Sequence, residues 1–175
     1  MALRQVFILG ALFLWAGCAS MKVSDFGDER PLLDPVEFFS GRTASAGVME
    51  NRGGGPQEIV TTTTLGRREG ATLVLEQDLK LGGKQQHRSW RIRKRDAHHF
   101  TATANDLVGT ATGEAYGNVF SWRFTLALSS GNPLANVRMT QWMYLQPDGR
   151  TLLNHSTIRK FGIVLAQVTE VFRKQ

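Results

Sequence analysis

The chain has 175 residues, a formal net charge of +6, a sequence pI near 10.0 and a single cysteine. That length suits one domain, and one cysteine excludes a disulfide framework. A basic chain can answer to nucleic acid or to anionic lipid head groups, or to solubility alone; the export features at its N-terminus set nucleic acid aside as a partner.

Arg4 supplies a short positive start, and Val6 to Ala16 then run without a charge. This apolar run fits the roughly 7–15 residues of a signal-peptide core and falls short of the roughly 20 that a spanning helix needs. Leu14-Trp15-Ala16-Gly17-Cys18 closes it with small residues before Cys18. The stretch resembles a bacterial lipobox, in which the thiol takes a diacylglycerol and the chain is cut just before it. It departs from that pattern at Trp15, where a lipobox usually has Leu. Cys18 is the only cysteine, as expected of a thiol consumed by lipidation. Ala19 follows it, and by resemblance to lipoprotein sorting the absence of Asp there implies the outer membrane, on its periplasmic face. The expected organisation is residues 1–17 as signal peptide, 18–35 as lipidated N-terminus and tether, and 36–175 as the folded domain.

Residues 19–35 carry charges and two prolines, Pro31 and Pro35, with little periodicity, so a spacer that lifts the domain off the bilayer is expected. Phe38-Phe39 then marks entry to a core. From Arg42 onward, turn signals recur about every 8–12 residues. They include Gly53-Gly54-Gly55-Pro56, Gly82-Gly83, Asn105-Asp106, Gly117-Asn118, Gly131-Asn132-Pro133 and Pro147-Asp148-Gly149. The segments between them alternate as half-buried strands do. Leu73, Leu75 and Leu79 share a face, with Gln77 an exception. Trp90 and Ile92 alternate against Arg91 and Arg93. Phe120, Trp122, Phe124, Leu126 and Leu128 alternate against Ser121, Arg123, Thr125 and Ala127. Thr61 to Thr64 is β-branched and suits a strand. The pattern predicts an all-β domain of about nine or ten strands, an antiparallel up-and-down meander closed into a barrel so that no edge is exposed.

Four stretches resemble a family of uncharacterised, lipocalin-like lipoproteins of Gram-negative bacteria. They are Phe38-Phe39-Ser40-Gly41 with Ala46-Gly47-Val48; Leu75-Glu76-Gln77-Asp78 with Arg88-Ser89-Trp90-Arg91-Ile92; Asn105 to Ala111 with Gly113, Gly117-Asn118 and Trp122; and Trp142-Met143-Tyr144-Leu145 with Leu153-Asn154 and Lys160-Phe161-Gly162. The chain departs from that pattern at Phe124, where Tyr is expected, and at Leu79, where Phe is expected. The resemblance implies a lipocalin-like (calycin) barrel and no established activity. Its association with fatty-acid-modifying enzymes implies a connection to lipid.

Arg88 shares strand parity with Trp90 and Ile92 and should face inward with them. A buried guanidinium needs a partner, and Glu76 and Asp78 on the preceding strand are the ion-pair candidates. Arg88 would otherwise meet a fatty-acid carboxylate. Trp90, Trp122, Trp142, Tyr144 and Asn154 are the remaining ligand-binding candidates. Trp142 and Tyr144 lie on one strand face and Met139, Gln141, Met143 and Leu145 on the other, and either face could line the interior. Arg91, Arg93, Lys94 and Arg95 form a basic run that suits a solvated face or anionic lipid. His98 and His99 point to opposite faces and suit no shared metal. No catalytic motif or cofactor fingerprint is present. The expected function is binding or shuttling of a small apolar ligand, a fatty acid or lipid, by a membrane-anchored barrel. The alternatives are a filled-barrel interaction lipoprotein and a lipid-modifying enzyme or its accessory.

Overall fold

The computed structural model describes residues 20–175; the expected signal peptide at residues 1–17, Cys18 and Ala19 lie outside the described residues. Ten strands follow one another: β1 (Gly41–Asn51), β2 (Pro56–Glu69), β3 (Thr72–Leu81), β4 (Lys84–Lys94), β5 (His99–Ala104), β6 (Leu107–Tyr116), β7 (Val119–Leu126), β8 (Val137–Leu145), β9 (Thr151–Lys160) and β10 (Ile163–Lys174). Each pairs antiparallel with the next, and β10 closes on β1 in a register running from Thr43↔Lys174 to Asn51↔Ala166. The expected all-β meander is therefore a ten-stranded closed barrel.

Alternation decides which side chains fill it. Along β7, Phe120, Trp122, Phe124 and Leu126 are buried while Arg123 is exposed. The strand stops at Leu126, because the chain then leaves the ladder for the loop before β8. Leu128, which continues the alternation in sequence, is exposed there. In β2 the threonines divide by parity: Thr62 and Thr64 are buried, and Thr61 and Thr63 exposed.

A meander places the β1–β2, β3–β4, β5–β6, β7–β8 and β9–β10 connections at one end and the others at the opposite end. The second end is plugged. A single helical turn, α1 (Pro35–Phe38), starts there, its first N–H capped by the Asp34 carboxylate, which accepts from Val36 N at 2.9 Å. Phe38 and Phe39 meet edge to face at 5.0 Å, and Phe39 meets Phe172 at 5.8 Å. Gly66 of β2 lies beneath this plug, where a Cβ would come within 1.8 Å of the Phe39 carbonyl oxygen.

The stretch expected to be a free spacer is docked from Val23 onward. A 3₁₀ turn at Val23–Phe26 rests on β6 and β7, with Val23 buried and Phe26 edge-on to Tyr144 at 6.1 Å. Leu33 is buried and its N–H donates to the Gly117 carbonyl at 2.7 Å. The polar average of the segment masks three apolar residues, Val23, Phe26 and Leu33, whose burial outweighs the reach of a loose linker. The ring closes within Gly41–Lys174 and the plug and docked turn within Val23–Phe39. A chain beginning at Ser20 thus retains every contact made among the described residues.

Candidate functional site

The barrel holds a cavity of about 140 Å³ that reaches from Phe39 of the plug to Leu81 at the open end. Its wall is mainly apolar, with Leu75, Ile92, Phe120, Met139, Met143 and Val168 among its residues. Thr62, Gln77, Arg88, Gln141, Ser156 and Glu170 add polar groups to it. A mostly apolar pocket with a few converging polar groups is the usual form of a small-molecule site.

β4 turns Arg88, Trp90 and Ile92 to the cavity. The Arg88 guanidinium is gripped by Asp106 in the β5–β6 turn: Nε donates to the two carboxylate oxygens at 2.8 and 2.9 Å, and Nη2 donates at 2.6 Å. The expected partners, Glu76 and Asp78, are elsewhere. Leu75, Gln77 and Leu79 of β3 face the cavity, so strand parity sends Glu76 and Asp78 outward. There they clasp His87, with ring nitrogens 3.0 Å from Glu76 Oε2 and 2.9 Å from Asp78 Oδ1. Hydrogen bonding to these two carboxylates raises the His87 pKa above that of a free imidazole.

Two indoles stack at the centre. Trp90 and Trp122 have ring centroids 4.7 Å apart, with Phe124 edge-on to both. Arg88 lies over Trp90 at 5.5 Å. The Trp90 N–H donates to Gln77 Oε1 at 3.1 Å, which accounts for the one polar side chain in the otherwise apolar face of β3. The Trp122 N–H donates to Gln141, whose amide donates to Ser156 Oγ at 2.9 Å. Asn154, fully buried, donates to Ser156 Oγ at 3.1 Å and to Glu170 Oε2 at 3.2 Å. A polar chain thus runs from Trp122 to Glu170.

Glu170 is the residue that the sequence reading missed. Its carboxylate accepts from Ser45 at 2.9 Å, from Thr62 at 3.3 Å and from Asn154. Burial pushes its pKa up, and the three donors only partly oppose that. Gly47, directly across the ladder, leaves it room: a Cβ there would lie 2.7 Å from Glu170 Cγ and 2.1 Å from the Thr169 carbonyl oxygen. A signal was present, since Glu170 falls in phase with Ala166, Val168 and Phe172 on β10.

Trp142 and Tyr144 are not in the cavity. Met139, Gln141 and Met143 take the inner positions of β8, and the two aromatics stack on the outer face at 6.3 Å, with Tyr144 edge-on to Phe26. They look like ligand aromatics in sequence because the docked N-terminal turn gives the outer wall a second apolar surface to cover. The basic run is partly engaged: Arg91 pairs with Glu69 at 3.2 Å, Arg93 donates to Thr72, and Lys94 pairs with Asp34 at 2.6 Å. Among the described residues no group of three His, Cys, Asp or Glu side chains is placed to hold a metal ion.

A family model described as "protein of unknown function (DUF3833)" matches residues 12–174. No curated protein matches the chain. Solved structures do. Rv2717c from M. tuberculosis superposes with a TM-score of 0.59 at 14% identity, over 85% of this chain and 99% of that one. The S-type phycobiliprotein lyase CPES from Guillardia theta superposes with a TM-score of 0.56 at 8% identity, over 80% of this chain and 90% of that one. At such identities the common property is the fold, a lipocalin-like barrel.

Proposed function

Since the chain belongs to the DUF3833 family, whose function is unknown, its activity has to come from the barrel itself, and we propose that it binds a small, largely apolar molecule of the fatty-acid or lipid class in the interior. The observation that carries this is the apolar cavity between the aromatic plug and the open end. At about 140 Å³ it is close in size to an engineered apolar cavity of ~150 Å³ that accepts benzene. It therefore takes one ring or a short acyl segment, and a longer tail extends through the open end. The polar head sits by Arg88. Asp106 offsets the guanidinium charge, and Nη1 makes no hydrogen bond among the described residues, so it is available to a ligand oxygen. The lipobox-like Cys18 supports a lipid anchor facing the periplasm, which would hold the barrel where such ligands are made and exchanged.

The stacked Trp90–Trp122 pair is a built-in reporter. Titration of the chain from Ser20 with short, medium and long straight-chain fatty acids should give a saturable change in tryptophan emission. Met143→Trp, which fills the cavity, should remove that response while circular dichroism stays barrel-like. No saturable response across the series, together with no apolar molecule extracted from protein purified without detergent, would sink the proposal. The aromatic packing around Trp90, Trp122 and Phe124 already occupies much of the interior. That outcome would therefore favour a filled-barrel interaction protein.

A further inference from the structure

The tip of the β9–β10 hairpin breaks two local rules. Phe161 and Gly162 are its two turn residues, between the paired Lys160 and Ile163, with φ of 49° and 82°. Such a two-residue turn with positive φ at both positions favours Asn-Gly; a bulky aromatic in left-handed backbone is an outlier. Phe161 is also 83% exposed. Strain at an observed outlier points to function when nothing in the fold needs the residue.

Phe161 has apolar neighbours at the same end of the barrel. Ile163, at the start of β10, is 58% exposed; in the adjoining β7–β8 loop Leu128 and Leu134 are 66% and 71% exposed. The same rim is basic. Arg138 and Arg159 are directly paired across β8 and β9. Like charges opposite one another destabilise a ladder, and among the described residues neither has a carboxylate within salt-bridge distance. Lys160 lies 5.7 Å from the Phe161 ring. Arg52, Lys80 and Lys84 stand in or beside the other turns of this end, against Glu50, Glu58 and Asp106, the last already paired with Arg88. Exposed apolar tips beside cations that form no salt bridge among the described residues match a bilayer interface with anionic head groups.

The N-terminal segment is placed to assist. Phe26 lies beside Gly117 at the plugged end, whereas Val23 lies beside Thr112 and Arg123, nearer the middle of the wall. Traced back from Phe26, the described chain thus leaves the plugged end along the outer wall of β6 and β7.

We infer that the open end of the barrel docks on an anionic lipid surface, with Phe161, Ile163, Leu128 and Leu134 entering the head-group layer and Arg138, Arg159 and Lys160 meeting the phosphates. Docking of this kind faces the cavity toward the bilayer, and it stands on the rim alone, whatever the cavity holds.

The chain from Ser20, which lacks the lipidation site, should co-sediment at low salt with vesicles containing phosphatidylglycerol and far less with pure phosphatidylcholine. Phe161→Asn separates docking from folding. It gives the turn its preferred Asn-Gly, so the melting temperature should hold or rise while vesicle binding drops; together with Ile163→Asp the loss should reach about ten-fold. Arg159→Glu and Lys160→Glu should each weaken binding to anionic vesicles about five-fold. The inference is overturned if the chain ignores anionic vesicles, or if the Phe161→Asn/Ile163→Asp variant binds them as the parent does. A photo-crosslinker at position 161 that captures a protein and no lipid in intact cells would also overturn it.

Discussion

The guanidinium of Arg88 and the carboxylate of Asp106, joined by three contacts of 2.6–2.9 Å, tie β4 to the β5–β6 turn at the open end of the cavity. The pair is mostly shielded, with side chains 14% and 30% exposed. Removing one partner leaves a half-buried charge, which costs more than the pair itself contributes. Arg88→Ala should therefore lower stability by about 1–3 kcal/mol in urea unfolding. Asp106→Ala added to it should cost little more, because the two act as a unit. Asp106→Asn leaves the guanidinium charge uncompensated beside the cavity, so fatty-acid carboxylates should bind more tightly to that variant in the tryptophan titration. Equal affinity would place the ligand head away from Arg88.

Glu170 makes stability depend on pH in a direction opposite to most carboxylates. Burial raises its pKa in the folded chain above that of the unfolded chain. The sign follows from linkage: its contribution is fully present below the ordinary glutamate range and is lost as pH rises through the folded value. Asp96, held down at about 2 by the His98 and His99 N–H groups, and Asp148, lowered by Thr151 and Arg150, act the other way and weaken the fold as pH falls. Comparison with Glu170→Gln isolates the buried group. The variant should gain on the wild type as pH rises from the acid side toward neutrality, measured as the difference in thermal midpoints. A constant difference at every pH would mean that Glu170 titrates normally.

Gly117 shows why one stretch with family resemblance has its glycine. Its φ is 54°, and a Cβ would stand 1.7 Å from the Phe26 carbonyl oxygen. Its own carbonyl accepts from Leu33. Gly117→Ala thus clashes with the docked N-terminal segment while leaving the ring of strands intact. Limited proteolysis should then cut between Val23 and Leu33 at least several times faster than in the wild type, with the barrel still resistant. If the cutting rate is unchanged, the segment is held by Val23 and Leu33 burial and not by the close approach at Gly117.

The fold was legible because half-buried strands write a period of two into sequence, and the clean run from Phe120 to Leu126 is that period undisturbed. Gly-containing turns placed the hairpins, and a meander follows once every connection is short. The site was legible only where parity was followed through. Arg88, Trp90 and Trp122 reach the cavity as their alternation implies. The same rule, applied to Leu75 and Leu79, already sends Glu76 and Asp78 outside, so the proposed ion pair contradicted the strand that carried it. Asp106 was hidden because a turn residue has no parity to read. Trp142 and Tyr144 misled for a different reason: one stretch of wall is covered on both sides, and alternation cannot rank two apolar faces. Which face Phe26 would cover is a tertiary fact with no local signature.

The polar chain through the core predicts a rescue. Gln141 accepts the Trp122 N–H and donates to Ser156, which also accepts from Asn154. Gln141→Leu strands the indole N–H in an apolar wall and should cost about 1–3 kcal/mol by urea unfolding followed through circular dichroism. Trp122→Phe on that background removes the stranded donor, and Ser156 keeps Asn154 as its partner. Losing both ends of a buried hydrogen bond is nearly neutral where the shape is kept, and the smaller ring adds a cavity cost. The double variant should therefore be less destabilised than the two single costs combined, with a coupling of ~1 kcal/mol or more. Strict additivity would show that the indole N–H finds another acceptor, and the cavity would then be less dry than its lining suggests.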